Sequence, residues 1–200
     1  MKKILYLHGF GSSGASGTVA LLRREFWGGD AAHRATVTAP DIPPDPAEAM
    51  PMLEALAYDE MPDLVIGTSM GGMYAQMLRG FLRICVNPSF TISKKYNVLY
   101  VGRHKWLNRR KDGETEFHVT KDIIEHFKDL EARQFDGIDD EDRTLCHGLF
   151  GDADEMMPEV RPIFESHYPG MSRVFQGGHR MNADVVAKTL IPFIRSLNAI

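Results

Sequence analysis

The chain has little cysteine, no long apolar run and no excess of positive charge. Each absence excludes something. Two widely spaced cysteines, Cys85 and Cys146, are no disulfide framework, and neither has metal-ligand spacing. Both are expected as reduced core residues. No apolar stretch approaches the roughly 20 residues that a membrane-spanning helix needs. The N-terminus, Met1-Lys2-Lys3-Ile4, is basic, but the apolar stretch after it ends at His8-Gly9, too short for a secretory signal. A cytoplasmic protein is expected. A net charge of −4 argues against nucleic acid as a default partner. Internal repeats and low-complexity tracts are also missing. What is there is ordinary for a globular chain: 200 residues, 44% apolar and 25% charged, read as one domain with a real core.

Apolar runs and helical stripes alternate along the sequence. Ile4 to Leu7 reads as a first strand, unbroken and apolar, as in a strand covered on both faces. A helix follows from about Ser16 through Leu21, Leu22 and Phe26. Ala35 to Ala39 is a second strand, ended by Pro40-Asp41-Ile42-Pro43-Pro44. Asp45-Pro46 supplies an N-cap and a first-turn proline for a helix carrying Met50, Leu53 and Leu56. Leu64 to Gly67 is a third strand. Leu82 to Val86 is a fourth, stopped by Asn87-Pro88. Residues 89–143 then break the rhythm. In that insertion Asp112-Gly113 can close a hairpin, and Thr120 can cap a helix with the stripe Ile123, Ile124, Phe127 and Leu130. Thr144 to Phe150 resumes as a fifth strand, with a helix from about Glu155 to His167. Ser172 to Phe175 is the last strand. The final helix starts near Asn182, with Pro192 expected to kink it or start a second segment. Repeated strand–helix alternation implies a parallel sheet of about six strands between helices, a three-layer α/β/α sandwich. Functional loops of such sheets lie at the carboxyl ends of the strands.

Four of those loops carry residues capable of chemistry. The central one is Gly67-Thr68-Ser69-Met70-Gly71-Gly72, where Ser69 sits between a strand and a helix. A nucleophile on a sharp turn needs small residues two before and two after it, because a Cβ there would collide with neighbouring backbone. The helix N-terminus then aims backbone N–H groups at developing negative charge. A bland reading stands beside it: a glycine-rich turn that only opens a helix. The other loops carry His8-Gly9-Phe10-Gly11, Gly151-Asp152-Ala153-Asp154 and Gly177-Gly178-His179. Serine is a weak nucleophile at neutral pH and needs a base within reach. Histidine can take that proton and return it, and an acid holds its tautomer. The chain order serine, aspartate, histidine is that of α/β-hydrolases.

With Tyr6-Leu7-His8-Gly9-Phe10, Ser12-Ser13, Gly67 to Gly72, Asn87-Pro88, Gly151 to Asp154 and Gly177 to His179, the sequence resembles the small α/β-hydrolase esterases of the YqiA-like group over nearly its whole length. The insertion fits through Asp112-Gly113-Glu114 and the helix after Thr120. The resemblance implies Ser69 as nucleophile, His179 as base and Asp154 as acid, with the backbone amides of Phe10 and Met70 as oxyanion hole. It implies hydrolysis of a small-molecule carboxylic ester through an acyl-enzyme, with no metal and no cofactor. Thioester hydrolysis needs the same machinery. The chain departs from the family pattern after the histidine, where Arg180-Met181 replaces an apolar or aromatic residue.

Between the two aspartates, strand periodicity does not choose. A loop that must curl before a helix near Glu155 favours Asp154, as does the family spacing from Gly151. Asp152 is then expected to bond nearby backbone amides. The insertion is expected to leave strand four and enter strand five at the loop-bearing edge, lying over Ser69 as a small lid. Ile123, Ile124 and Phe127 would face the body or the acyl pocket. Its basic cluster, Arg103, Lys105, Arg109, Arg110 and Lys111, and its acidic one, Asp136, Asp139, Asp140, Glu141 and Asp142, read as solvated faces or each other's partners; an anion-binding patch is the sharper reading. Two rival functions remain. Gly9-x-Gly11-x-x-Gly14 after a strand matches a dinucleotide fingerprint, with Asp41 as a somewhat late acid. That NAD(P)-binding reading leaves Ser69, Asp154 and His179 unexplained. The second rival is a catalytically dead hydrolase fold used for binding, against which the intact Ser, Asp and His argue. His33, His104, His118, His126, His147 and His167 lack paired ligand spacing.

Overall fold

The computed structural model describes residues 1–28, 34–198 and 200; His33 lies outside them. The order of elements is β1 (Lys2–Leu7), α1 (Gly17–Gly28), β2 (Ala35–Thr38), α2 (Pro46–Glu60), β3 (Leu64–Thr68), α3 (Met70–Met77) and β4 (Arg83–Val86). After these come β5 (Gly102–Lys105), β6 (Glu116–Val119), α4 (Lys121–Arg133), α5 (Asp140–Leu145), β7 (Cys146–Gly151), α6 (Val160–His167), β8 (Ser172–Phe175), α7 (Ala183–Val185) and α8 (Ile191–Ser196). Six strands form one sheet in the order β2-β1-β3-β4-β7-β8, and every neighbouring pair is parallel.

The continuous apolar strands have a direct physical cause: the sheet is covered on both faces. Side chains alternate between faces. On β1, Leu5 and Leu7 enter the core shared with α2, α3, α4 and α6, whereas Ile4 and Tyr6 enter the one shared with α1 and the C-terminal helices. On β3, Val65 goes to the first core and Leu64 and Ile66 to the second. The two free thiols, Cys85 and Cys146, are buried on adjacent strands with their sulfurs 3.7 Å apart.

Helix starts follow local chemistry. The Asp45 carboxylate accepts from the Ala47 N–H at 2.8 Å, with Pro46 at the first helical position. Thr120 Oγ1 accepts from the Ile123 N–H at 3.2 Å. Before Pro192 the backbone widens into a π-turn over Val186–Leu190, so the C-terminal helix falls into segments. Residues 144 and 145 are helical rather than the start of a strand. Asp139 caps α5 by accepting from the Asp142 N–H at 2.7 Å, and Asp140, Glu141 and Asp142 fill its first turn, where the helix dipole favours carboxylates. Asp142 also holds Arg83, which is fully buried on β4, at 2.7 Å, and Arg79 at 3.3 Å. The acidic run is therefore a helix start and a partner for the buried Arg83 and the partly buried Arg79. Arg103 pairs instead with Glu116, and Arg110 pairs with Asp112 while lying over the Trp106 ring.

The insertion differs from expectation at its exit. β4 and β7 are parallel, so the chain must cross from the carboxyl end of one to the amino end of the other. It enters β7 at the edge opposite the loops. α4 makes most of that crossing, packing its stripe of Ile123, Phe127 and Leu130 into the core beside α2. The antiparallel hairpin β5–β6 does stay at the loop-bearing edge. Its connecting segment is bonded to the loops after β1 and β2: Leu107 N–H to Gly11 O at 2.7 Å, Ser13 Oγ to Arg109 O at 2.8 Å, and Lys111 N–H to Asp41 Oδ2 at 2.7 Å.

Candidate active site

Ser69 stands at the end of β3 with φ 55° and ψ −120°. Positive φ in a residue with a side chain costs energy and needs enforcement. Enforcement comes from close backbone approach on both sides. A Cβ on Gly67 would strike the Gly71 carbonyl, and a Cβ on Gly71 would strike Leu7 O. Ser69 N–H is bonded to Val86 O at 3.0 Å, and its carbonyl accepts from Gly72, Met73 and Ser89 N–H groups. Met70, Met73 and Tyr74 point into the core.

Three loops converge on the serine. His179 Nε2 lies 2.9 Å from Ser69 Oγ, and His179 Nδ1 lies 2.8 Å from Asp154 Oδ2. A carboxylate only accepts, so Nδ1 carries the proton and Nε2 is left to accept from the serine hydroxyl. Both side chains are less than a tenth exposed. Burial raises the Asp154 carboxyl, but the His179 hydrogen bond and charge, with the Met157 and Met156 amides, outweigh it; the net shift is downward. The helix expected near Glu155 starts only at Val160; in the turn before it Asp154 Oδ1 accepts from the Met156 and Met157 N–H groups at 3.0 and 3.1 Å. Asp152 does not reach the imidazole. Its Oδ1 accepts from Gly177 N–H at 2.9 Å, tying the loop after β7 to the loop after β8.

Phe10 and Met70 are brought to the same place. A Cβ on Gly9 would lie 3.2 Å from Ser69 Cβ, so Gly9 lies against the serine, and Phe10 lines the same cavity as Ser69. Neither the Phe10 nor the Met70 N–H donates to protein among the described residues. His8 anchors this loop. It donates from Nδ1 to Gly9 O at 2.9 Å and accepts at Nε2 from Ile42 N–H at 3.0 Å. Burial drives its pKa down from 6.5 to about 4, so it is neutral and structural.

The roles of two neighbours escaped the sequence reading. Asn87, with φ 42°, follows β4; its sequence marked it as a strand stop and as part of the family resemblance, not as a cross-link. It donates to Gly178 O and His179 O at 3.1 and 3.0 Å and accepts from Gly151 N–H at 2.8 Å, joining three loops through one carboxamide. Ser89 Oγ lies 2.9 Å from Ser69 Oγ. Since Ser69 donates to His179, Ser89 must be the donor in that pair. No motif signals either contact, because each depends on strands meeting side by side. Of the remaining histidines, His104 stacks with Phe117, His126 bonds Asp45, His147 meets Phe193 edge-on and His167 stacks on Phe135. Among the described residues no group of three or more His, Cys, Asp or Glu could hold a metal ion.

A cavity of about 340 Å³ opens on Ser69 and His179. The insertion contributes Val98, Leu107 and Asn108 to its wall, but not Ile123, Ile124 or Phe127, which belong to the body. None of Arg103, Lys105, Arg109, Arg110 and Lys111 lines it either. The dinucleotide reading does not assemble. Both Asp41 carboxylate oxygens are taken, by Gly14 N–H at 2.8 Å and by Lys111 N–H. The sheet order also differs from the dinucleotide-binding order, in which the first strand follows the third and second.

Sheet order, helix layers and the turn at Ser69 define an α/β-hydrolase fold. Solved structures of that class align with almost the entire chain. Est1E from Butyrivibrio proteoclasticus matches with a TM-score of 0.67 at 13% identity, over 100% of this chain and 89% of that one. Alpha/beta hydrolase domain-containing protein 10 from mouse gives 0.64 at 14%, over 98% and 88%. A thioesterase domain from the curacin biosynthetic pathway gives 0.58 at 13%, over 98% and 90%. The chain belongs to the family described as Uncharacterised protein family (UPF0227), whose model matches residues 3–187. No helix among the described residues is long and apolar enough to cross a membrane.

The buried neutral His8 makes stability depend on pH. Unfolded, it binds a proton below its ordinary 6.5; folded, only below about 4. Stability is thus complete above pH 6.5 and is lost as pH falls toward 4, by on the order of 3 kcal/mol across that window. Urea unfolding at pH 7.5 and 5.0 should show the loss, with a shallower dependence in His8→Asn. A wild-type stability equal at both pH values contradicts this account.

Proposed function

We propose that the protein is a serine hydrolase cleaving carboxylic esters through an acyl-enzyme. The observation that carries this reading is the relay from Ser69 Oγ to His179 Nε2 and from Nδ1 to Asp154, at 2.9 and 2.8 Å, beside two unbonded amides. Ser69 attacks the ester carbonyl while His179 Nε2 takes its proton. The carbonyl oxygen becomes an oxyanion, received by the Phe10 and Met70 N–H groups. His179 then passes its proton to the departing alcohol. Water, deprotonated by the same imidazole, releases the acid and restores Ser69. Asp154 keeps the proton on Nδ1 and stabilises the imidazolium. Every step draws on these groups and water. Thioesters can follow the same path, and a thioesterase domain shares the fold; rates on a matched oxygen ester and thioester decide between them.

Ser69→Ala should fold normally, lose labelling by a fluorophosphonate probe and lose ester turnover by orders of magnitude. Turnover near the wild-type level in that variant overturns the reading. A second comparison separates the aspartates. Asp154→Asn forces the wrong tautomer and should lower kcat by up to about 10⁴-fold, the loss the same change causes in serine proteases. Asp152→Asn should be mild, because only a loop contact is lost. Collapse in Asp152→Asn with a mild Asp154→Asn would reassign the acid.

We further propose that the chain is a single domain and that the β5–β6 hairpin, rather than the whole of residues 89–143, serves as its lid. Val98, Leu107 and Asn108 are the insertion's contribution to the cavity wall. Shortening the segment between β5 and β6 should change preference among p-nitrophenyl esters of different chain length more than it changes kcat on the shortest. An unaltered chain-length profile removes the lid role.

A further inference from the structure

The wall of the Ser69 cavity combines two unlike surfaces. Val98, Leu107, Met156 and Met181 offer apolar contact. Opposite in character are the hydroxyl-bearing residues Tyr6, Ser12, Ser16, Thr18 and Thr68, joined by the charged side chain of Arg180. Tyr6 and Thr68 hydroxyls are bonded to each other at 3.0 Å, and Ser12 Oγ accepts from Asn108 at 2.9 Å. These groups hold one another, so a hydrocarbon chain seated on them would forfeit polar hydration without a matching gain. Arg180 is different. It makes no hydrogen bond or ion pair among the described residues, and no carboxylate lines the cavity. The Asn87 carboxamide donates to the Gly178 and His179 carbonyls and fixes them, so the residue next along is held at the mouth of the site.

We propose that Arg180 is a specificity-determining residue, and that the substrate is a short ester bearing an anionic group, a carboxylate or phosphate, a few bonds from the scissile carbonyl. This deepens the hydrolase reading and rests on it. The guanidinium is permanently charged and presents a planar fork of donors that matches such oxyanions. The apolar side chains receive the few carbons between the anion and the ester. A cavity of about 340 Å³ is near the small end of ligand sites, which fits a compact substrate. The cation that selects an anion is therefore Arg180, not the basic cluster of the insertion.

The test uses the full-length protein and two matched pairs of esters. One pair carries the charge on the acyl side: mono-p-nitrophenyl succinate against p-nitrophenyl butyrate. The other carries it on the alcohol side: 3-acetoxybenzoate against phenyl acetate. Each pair is read as the charged-to-neutral ratio of kcat/KM in wild type, Arg180→Gln and Arg180→Lys. In at least one pair the ratio should fall about tenfold in Arg180→Gln and be partly restored in Arg180→Lys, and the pair that responds names the side of the ester. Ratios equal in wild type and Arg180→Gln for both pairs overturn the proposal and leave the hydrolase reading intact. Dissociation constants of the same esters are also measured in Ser69→Ala with and without Arg180→Gln, which needs no turnover. If no ester is hydrolysed, the hydrolase reading fails on its own. The charged-to-neutral ratio of dissociation constants then decides: dependence on Arg180 in either pair supports the anion site, and independence in both overturns it.

Discussion

Ser69 holds φ 55° because three backbone segments press together around it. The end of β3, the first turn of α3 and the end of β1 meet at Gly67 and Gly71, where any Cβ would strike a carbonyl. Holding a side-chain-bearing residue in that region costs of order 1–3 kcal/mol, and the parallel sheet meets that cost with backbone hydrogen bonds on every side. Everything else at the site takes its position from this turn. The α3 amides point where they do because the helix starts immediately after the serine. The loop after β1 lies against Ser69 because Gly9 carries no side chain to hold it off.

Convergence of the other loops depends on cross-links rather than on any one loop's own stiffness. Asn87 binds the loops after β7 and β8 from the end of β4. Asp152 binds the same two loops to each other. Asp154 divides its two oxygens between the imidazole and its own turn. A carboxylate so occupied is held ionised, and a histidine so oriented keeps one tautomer. The neutral His8 applies similar logic to the loop after β1, with burial fixing its protonation state.

The insertion divides its labour between two physical tasks. As a crossover between parallel strands it must travel from one edge of the sheet to the other, and α4 does so by burying an apolar stripe against α2. The hairpin is the part left free to stay at the loop edge, where its backbone bonds to the loops after β1 and β2. Charges in the segment follow the same division: Asp142 is drawn inward to the buried Arg83, whereas Arg103 stays at the surface with Glu116.

Local chemistry was legible along the chain. Apolar runs marked the six strands, Asp45 and Thr120 marked helix starts, Pro192 marked a break, and Gly67 and Gly71 marked the serine turn. These features depend on neighbours within a few residues, so sequence alone determined them. The expected strand at residues 144–145 failed because Asp139 and the carboxylates after it stabilise a helix turn, a competition that β-propensity does not register. The expected helix at Glu155 begins only at Val160, past Pro158, whose ring disfavours helical backbone at the residue before it. The cross-links made by Asn87, Ser89 and Asp142, and the place of Arg180 in the cavity wall, carried no local signal. Their partners lie 20 to 92 residues away or line a cavity that exists only once the strands are side by side. Such contacts are set by the register of the sheet and by burial, which only the tertiary structure decides.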